Sequence, residues 1–308
     1  SVGVSTFDIR DNEGQNSACD TRLGNIEGRG RVINEGNFHL VGSEIVLEGS
    51  EPPLGDPAVR PFTNVGNFFW DRGAVGSDFE NASAQTAGNI PTMFIRTVAD
   101  KLLENGTLYN SGHLQHLEGK LRVNSTASIV NQPDGLWQLY NETEIVSPTQ
   151  NDPGQFSNSG TLQISSFLNN DPATMAIPVA SNQGAITGDQ DAKLNVSAGY
   201  TLQGGKIDLK DRSDLSFGPH GTVDGTTIDS DVSVTISFAG PTISGNLNGS
   251  GRGVVTFIDA TVERTETVFL DLANARLTGS SRLFGTISNS ETLTVDPGAK
   301  GVTFVETD

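Results

Sequence analysis

The sequence has a single cysteine, few charged residues and no long apolar run, and each shortage argues against a class of protein. Its 308 residues include one cysteine, Cys19, so no disulfide can form within the chain and a disulfide-rich fold is excluded. Charged residues make up only 18%, which argues against a charge-rich disordered chain. There is no run of 18 apolar residues, so we expect no membrane-spanning helix.

The charge balance is strongly acidic. The chain has 37 acidic and 19 basic residues and a formal net charge of −18. Nucleic acid and anionic membrane surfaces are bound by clustered Lys and Arg, so we expect neither nucleic-acid binding nor membrane insertion. An acidic surface instead favours solubility and cation binding, and it opposes the association of copies until ions screen it.

Asparagine and glycine recur in one pattern, Asn-x-Gly-x-apolar. The copies begin at Asn34, Asn64, Asn110, Asn158 and Asn182. Several of the gaps between them equal one or two units of roughly 23 residues, and a fixed period of this length is typical of a repeat architecture. A coil of about 20–24 residues with three short strands fits a parallel β-helix. The alternative is an antiparallel sandwich or barrel, whose strands also recur at short intervals.

We therefore predict an all-β fold, a right-handed parallel β-helix with a few loop insertions. The spacing of Gly106, Gly112 and Gly119 is six and then seven residues, which disfavours the strict six-residue repeat of the left-handed form. We expect one solenoid over residues 1–308 with a joint near residues 169–178. Six residues that follow the motif glycines should point inward: Leu108, Leu114, Leu121, Leu162, Ile186 and Ile207.

Some segments interrupt the repeat. Proline-rich stretches at residues 51–61, 147–155 and 169–178 predict loops. Residues 91–104 fit either a helix, because Phe94, Val98 and Leu102 fall four apart, or two strands.

The stretch GTLYNSGHL, Gly106 to Leu114, resembles the repeats of bacterial surface β-helix proteins. These are the filamentous-haemagglutinin-like adhesins and the autotransporter passenger domains. The resemblance implies a secreted or cell-surface protein with an adhesive or structural role.

Acidic residues in turns are the candidate metal ligands. Asp189, Asp191, Asp208, Asp211, Asp229 and Asp231 offer the hard oxygen ligands that Ca²⁺ prefers, so Ca²⁺ is the candidate ion, although a solvated acidic face explains the same pattern. His113 and His116 lie three apart in a strand region, where they face opposite sides, so we expect no metal site there.

Two further features point to carbohydrate. Trp70, Trp137 and Tyr140 could stack on sugars, although such residues more often pack in a core. Asp208, Lys210, Asp211 and Arg212 form the best candidate cluster for a polysaccharide lyase or a glycoside hydrolase of the tailspike type, which use β-helix folds.

No motif for a nucleophile, a zinc site or a phosphate loop occurs, so we predict no enzyme and keep the carbohydrate-active enzyme as the alternative. The predicted role is structural or adhesive. Strand-like runs at both termini would leave unpaired edges, which fits either a piece of a longer solenoid or the association of copies. We expect copies to assemble, end to end or by exchange of a terminal strand, into filaments or a surface matrix. Besides copies of itself, the expected partners are a polysaccharide or the surface of a host or neighbouring cell.

Overall fold

The computed structural model describes residues 6–9, 26–29, 31–48, 60–83, 90–149, 153–166, 171–263, 268–272, 274–284, 287–288, 292–296 and 303–305. The chain forms two compact units. Unit 1 comprises residues 1–139 and 143–156, and unit 2 comprises residues 140–142 and 157–308. The single solenoid over residues 1–308, with its joint near residues 169–178, stays a prediction.

The described residues form strands and no helix. In the first half of the chain the strands are β1 (Thr6–Ile9), β2 (Ile26–Arg29), β3 (Arg31–Asn34), β4 (Asn37–Glu48), β5 (Phe62–Asn64), β6 (Asn67–Val75), β7 (Phe79–Asn81), β8 (Thr92–Ile95), β9 (Lys101–Leu103), β10 (Gly106–Asn110), β11 (His113–His116), β12 (Lys120–Val123), β13 (Ala127–Asn131), β14 (Leu136–Tyr140), β15 (Glu144–Val146), β16 (Gln155–Asn158), β17 (Thr161–Ser165) and β18 (Ala173–Ala176). In the second half they are β19 (Val179–Asn182), β20 (Ala185–Gly188), β21 (Lys193–Val196), β22 (Tyr200–Gln203), β23 (Lys206–Leu209), β24 (Asp214–Phe217), β25 (Gly221–Asp224), β26 (Thr227–Ser230), β27 (Thr235–Ala239), β28 (Pro241–Ile243), β29 (Leu247–Asn248), β30 (Val254–Ile258), β31 (Thr261–Glu263), β32 (Val268–Asp271), β33 (Asn274–Thr278), β34 (Arg282–Phe284), β35 (Ile287–Ser288), β36 (Thr292–Asp296) and β37 (Thr303–Val305).

In unit 1 the strands follow one another as coils of three. The strands β7, β8 and β9 make one coil, and β10, β11 and β12 make the next. Each strand pairs in parallel with the strand at the same place in the next coil, as β7 does with β10, β8 with β11 and β9 with β12. This pairing is that of a parallel β-helix, and it excludes the antiparallel alternative because consecutive strands do not pair as hairpins.

Unit 2 has the same arrangement with a more regular period. The strands β20, β23 and β26 pair in parallel, and Ile186, Ile207 and Ile228 lie in register on them. Hydrogen bonds between neighbouring coils here join residues 21 or 22 apart in sequence. The predicted coil length of about 20–24 residues is therefore confirmed in this unit, whereas equivalent residues of neighbouring coils in unit 1 lie 17–30 residues apart.

Alternation within each short strand places the core. All six residues predicted to point inward are buried, with at most 2% of the residue exposed: Leu108, Leu114, Leu121, Leu162, Ile186 and Ile207. At the corners, Gly106 and Gly119 have φ angles of 80° and 77°, a left-handed conformation that favours glycine. The glycine–leucine rhythm therefore marks a corner followed by an inward side chain.

A column of buried asparagines runs along the ends of the first strands in unit 1. Each of the first four side chains donates from Nδ2 to Oδ1 of the asparagine in the next coil, at 2.7 or 2.8 Å. The column consists of Asn34, Asn64, Asn81, Asn110 and Asn131, all with 0% exposure. In unit 2, Asn158 donates to Asn182 in the same way at 2.7 Å. The asparagine of the repeated motif is therefore an inward residue that links coils.

The interrupting segments are partly described. Residues 91–104 form the strands β8 and β9 with a corner between them, so the helix alternative is wrong. The segment 169–178 includes β18, whereas residues 51–59, 150–152 and 169–170 lie outside the described residues. No helix long and apolar enough to cross a membrane is found in the part of the chain that is described.

Candidate functional site

A half-buried column of aromatic rings lies on the outward face of unit 1. His39, Phe69 and Phe94 occupy the same register position on β4, β6 and β8. The rings of His39 and Phe69 stack with centroids 4.4 Å apart, and those of Phe69 and Phe94 stack at 5.0 Å. Because the rings cover one another's faces, the column presents mainly ring edges to solvent and is not a platform on which a sugar ring can stack.

Arg96 and Asp71 complete this column. The Arg96 guanidinium lies 4.4 Å from the centroid of Phe69, and its Nη2 is 3.2 Å from Nδ1 of His39. Both Asp71 oxygens accept from Arg96, at 2.5 and 3.2 Å. The outward-facing charges and rings of three coils are therefore joined to one another, which stabilises the stack of coils.

The tryptophans predicted to bind sugars are in the core. Trp70 and Trp137 are both 0% exposed, and Trp137 packs edge-on against Phe156 at 5.6 Å. Their role in carbohydrate stacking was wrongly predicted, because both indoles lie at inward positions of their strands. Tyr140 is half-buried, and burial, with a smaller contribution from Asp189, raises its pKa.

The most concentrated charge in unit 2 lies on β23 and β26. Nζ of Lys206 is 3.0 Å from a carboxylate oxygen of Asp208 and 3.0 Å from one of Asp229. Lys210 is 2.9 Å from the other oxygen of Asp208. Since Asp208 and Asp229 lie in register on neighbouring coils, the ammonium of Lys206 bridges them.

The lysines change the proton affinity of both carboxylates. Partial burial would raise the pKa of Asp208, but hydrogen bonds from Lys210 and Lys206 outweigh it and hold the pKa below its usual range. For Asp229, too, burial acts upward, and hydrogen bonds from Ser250 and Lys206 lower the pKa overall. Both groups are therefore carboxylates at neutral pH, and neither is a proton donor of the kind that glycosidases use as general acid.

The other predicted ligand aspartates lie at the coil corners, where most of them accept hydrogen bonds from neighbouring side chains. Arg212 donates to Asp191 at 2.6 Å, and Gln163 and Ser165 donate to Asp189. Asp211 accepts from Ser233, and Asp231 is exposed. Over the described ranges, no group of three His, Cys, Asp or Glu side chains is arranged to hold a metal ion. A Ca²⁺ site among these six aspartates stays a prediction.

Several aspartates accept hydrogen bonds from the backbone of the next coil. Asp78 accepts from the amide of Thr107 at 2.8 Å, Asp229 from that of Ser250 at 2.8 Å, and Asp259 from that of Ser280 at 2.6 Å. Sequence reasoning missed this use of aspartate. The signal for it in the sequence is weak, an Asp that precedes a Ser or Thr by 21 or 29 residues.

Open grooves occur on the described surface of both units. The groove in unit 1, of about 440 Å³, is lined by Ile90, Ser111, His113, Asp134 and Leu136 among others. The Ser111 hydroxyl bonds to Gln132, and His113 Nε2 is 3.3 Å from Gln115 Nε2. The serine–histidine hydrogen bond of an activated nucleophile is therefore absent from this groove as described.

The groove in unit 2, of about 430 Å³, runs beside a register column of three threonines, Thr201, Thr222 and Thr242. These threonine hydroxyls give the groove a polar wall.

Comparison with known proteins finds no relative. No protein-family model, no curated protein and no solved structure matches this chain. The resemblance to surface adhesins therefore stays a prediction.

Proposed function

We propose that this protein is an extracellular structural or adhesive β-solenoid, of the kind found on bacterial surfaces, whose copies associate end to end into filaments or a surface matrix. The observation that carries the structural role is the bridge of Lys206 between Asp208 and Asp229. The best-placed pair of carboxylates is neutralised by lysine and links two coils. This use of charge supports a role in stability rather than in chemistry.

The strand edges support the association. Among the described strands, β1 pairs only with β3, and β37 pairs only with β34. A strand that is paired on one edge leaves the N–H and C=O groups of its other edge able to bond an extended segment. A contact between one end and the other end of the next copy is heterologous and does not close, so it generates a fibre.

Two proline variants of β37 test the association, Phe304→Pro and Val305→Pro. Neighbouring residues of a strand direct their N–H groups to opposite edges, so one of the two variants alters the free edge while the other disturbs the pairing with β34. We expect the free-edge variant to keep the circular dichroism of the unaltered chain and to lose its fibres in electron micrographs. Undiminished fibres in both variants would refute an end-to-end contact through β37.

An assay for turnover of acidic polysaccharides tests the structural role separately from the association. We expect no unsaturated products and no new reducing ends when the protein is incubated with a panel of acidic polysaccharides. Binding without turnover fits an adhesive partner of this class. Steady turnover by the unaltered chain that is changed in Lys206→Met would contradict the structural role and favour the carbohydrate-active alternative.

A further inference from the structure

Two ionisable side chains occupy inward positions in unit 1 where the neighbouring coils carry apolar residues. Lys101 on β9 lies in register with Leu121, and His116 on β11 lies in register with Ile95 and Leu139. Both are 0% exposed. A charged group in such a place is costly unless its hydrogen bonds are fully satisfied, so these two residues require a specific explanation.

The ammonium of Lys101 joins two successive corners. Nζ donates to the carbonyl oxygen of Thr97 and, at 3.3 Å, to that of Glu118. It contacts main-chain oxygens there, while the nearby carboxylates are bound elsewhere: Asp71 to Arg96 at 2.5 Å and Asp100 to Arg122 at 2.7 Å. Lys101 thus fixes the corners that lead into β9 and β12.

His116 has one nitrogen satisfied and one without a partner. Its Nε2 is 3.0 Å from the carbonyl oxygen of Gly119, which requires a proton on Nε2. Its Nδ1 is buried and has no hydrogen-bond partner in the described part of the chain. A proton added to Nδ1 would therefore have no acceptor and would lie in a core that already holds the Lys101 ammonium.

The backbone around the pair is tightly constrained. Thr97 has a φ of 74°, which is unfavourable for a β-branched residue, and Gly119 has a φ of 77°. A Cβ at position 119 would collide with the Thr97 carbonyl and lie 3.0 Å from Lys101 Nζ. Such a corner cannot adjust to a second charge by small movements, so it accommodates the charge by opening.

We propose that the Lys101–His116 cluster is an acid-sensitive device, in which protonation of His116 opens the corner at residues 116–119 and loosens the coils of unit 1 around it. The charged groups that act on Lys101 are Asp71, Glu118 and Asp100, and the one that acts on His116 is Lys101. Opening the corner hydrates both cations and separates them. The consequence is exposure of the apolar side chains of Ile95 and Leu121 in acidic surroundings.

The pKa shifts agree with this geometry. Burial, together with the charge of Lys101, lowers the pKa of His116 to about 3. An exposed histidine has a pKa of about 6.5, so the open corner takes up a proton below pH about 6.5 while the closed corner does not. The stability of the closed corner is therefore complete above that pH and is lost progressively as the pH falls from about 6.5 toward 3.

Amide hydrogen exchange measures this opening directly. The amide of Leu117 bonds to the Ile95 carbonyl at 2.8 Å beside the cluster, and the amide of Lys210 bonds to the Gly188 carbonyl at 3.0 Å at a corner of unit 2. After correction for intrinsic exchange, we expect the protection of Leu117 to fall about 100-fold between pH 7 and pH 4.5. Lys210 serves as the internal control and should change far less.

His116→Leu is the matched variant, because Leu139 fills the same column in the next coil. We expect the protection of Leu117 in this variant to lose most of its pH dependence. An equal loss of protection with and without His116, or no loss in the unaltered chain, would overturn the proposal. If His116→Leu does not fold, NMR titration of the imidazole in the unaltered protein decides: a ring that stays neutral down to pH about 4 in the folded state supports the proposal, and a ring that titrates near pH 6.5 refutes it.

Discussion

Replacing Asn81 with alanine removes three buried hydrogen bonds at once. Oδ1 of Asn81 accepts from Asn64 at 2.8 Å, and its Nδ2 donates to Asn110 at 2.8 Å and to the His113 carbonyl at 3.0 Å. The substitution removes these partners from Nδ2 of Asn64 and Oδ1 of Asn110, and one of the bonds to the His113 carbonyl, in a site with 0% exposure. Each such buried group costs about 1–3 kcal/mol, so, allowing for some relaxation, we expect a loss of about 3–5 kcal/mol.

Unit 1 also contains an exposed asparagine pair that serves as a control for this substitution, and two tryptophans that report its unfolding. Asn67 donates to Asn37 at 2.9 Å between the same kind of coils, but in an exposed position, so Asn37→Ala should cost less than about 0.5 kcal/mol. Both tryptophans of the chain, Trp70 and Trp137, are buried in unit 1, and their fluorescence during urea unfolding reports on that unit. If Asn81→Ala and Asn37→Ala cost the same, the buried column does not hold the coils together as described.

Three further substitutions test the core, the charge bridge and a buried hydroxyl. Leu114→Asp places an unpaired carboxylate at a fully buried position and should prevent folding of unit 1, so an unchanged melting temperature would show that the strand register is wrong. Lys206→Met leaves Asp208 and Asp229 in register without the ammonium that they share, and of these two described carboxylates only Asp208 keeps a lysine partner, Lys210. Ca²⁺ should therefore raise the melting temperature of the variant more than Na⁺ at equal ionic strength, and more than it does for the unaltered chain. Burial raises the pKa of Tyr200, so the folded state keeps this proton at a pH where the unfolded state loses it, and stability should fall as the pH rises above about 10. Tyr200→Phe should remove that fall without loss at neutral pH, because the buried hydroxyl has no partner in the described structure, and a persistent fall would assign the effect to another group.

The fold could be predicted from the repeated glycine and leucine. Inward and outward side chains alternate along each strand, and corners with a left-handed φ favour glycine, so both features give a recognisable pattern in the sequence. The asparagine column could be predicted only in part. Asn81 and Asn131 belong to it but lack a glycine two residues later. In the coil of Asn131 the glycine is Gly135, and a Cβ added at this position would collide with the Asn110 carbonyl. The Asn-x-Gly motif therefore identifies only those coils whose corner glycine follows two residues after the asparagine. Membership of the column requires only an asparagine whose side-chain amide points inward.

Predictions from residue type alone were wrong or incomplete where the position in the coil determines whether a side chain is buried. The four-residue spacing of Phe94, Val98 and Leu102 suggested a helix, but Val98 is 84% exposed at a corner between two short strands. Lys101 and His116 are ordinary surface residues by type, and only the register with apolar neighbours identifies them as inward. The charge bridge of Lys206 depends likewise on which strand lies next to it, which spacing along the chain does not specify.

Light scattering of the intact chain over a range of protein concentrations tests the proposed function most directly. The measurement is made in low salt, in raised Na⁺ and in Ca²⁺ at equal ionic strength, because the net charge of −18 opposes contact between copies until it is screened. An end-to-end contact predicts a mass that grows with concentration and salt well beyond the 32.5 kDa of one chain, without a preferred closed size. A mass that stays at 32.5 kDa under all three conditions would contradict it.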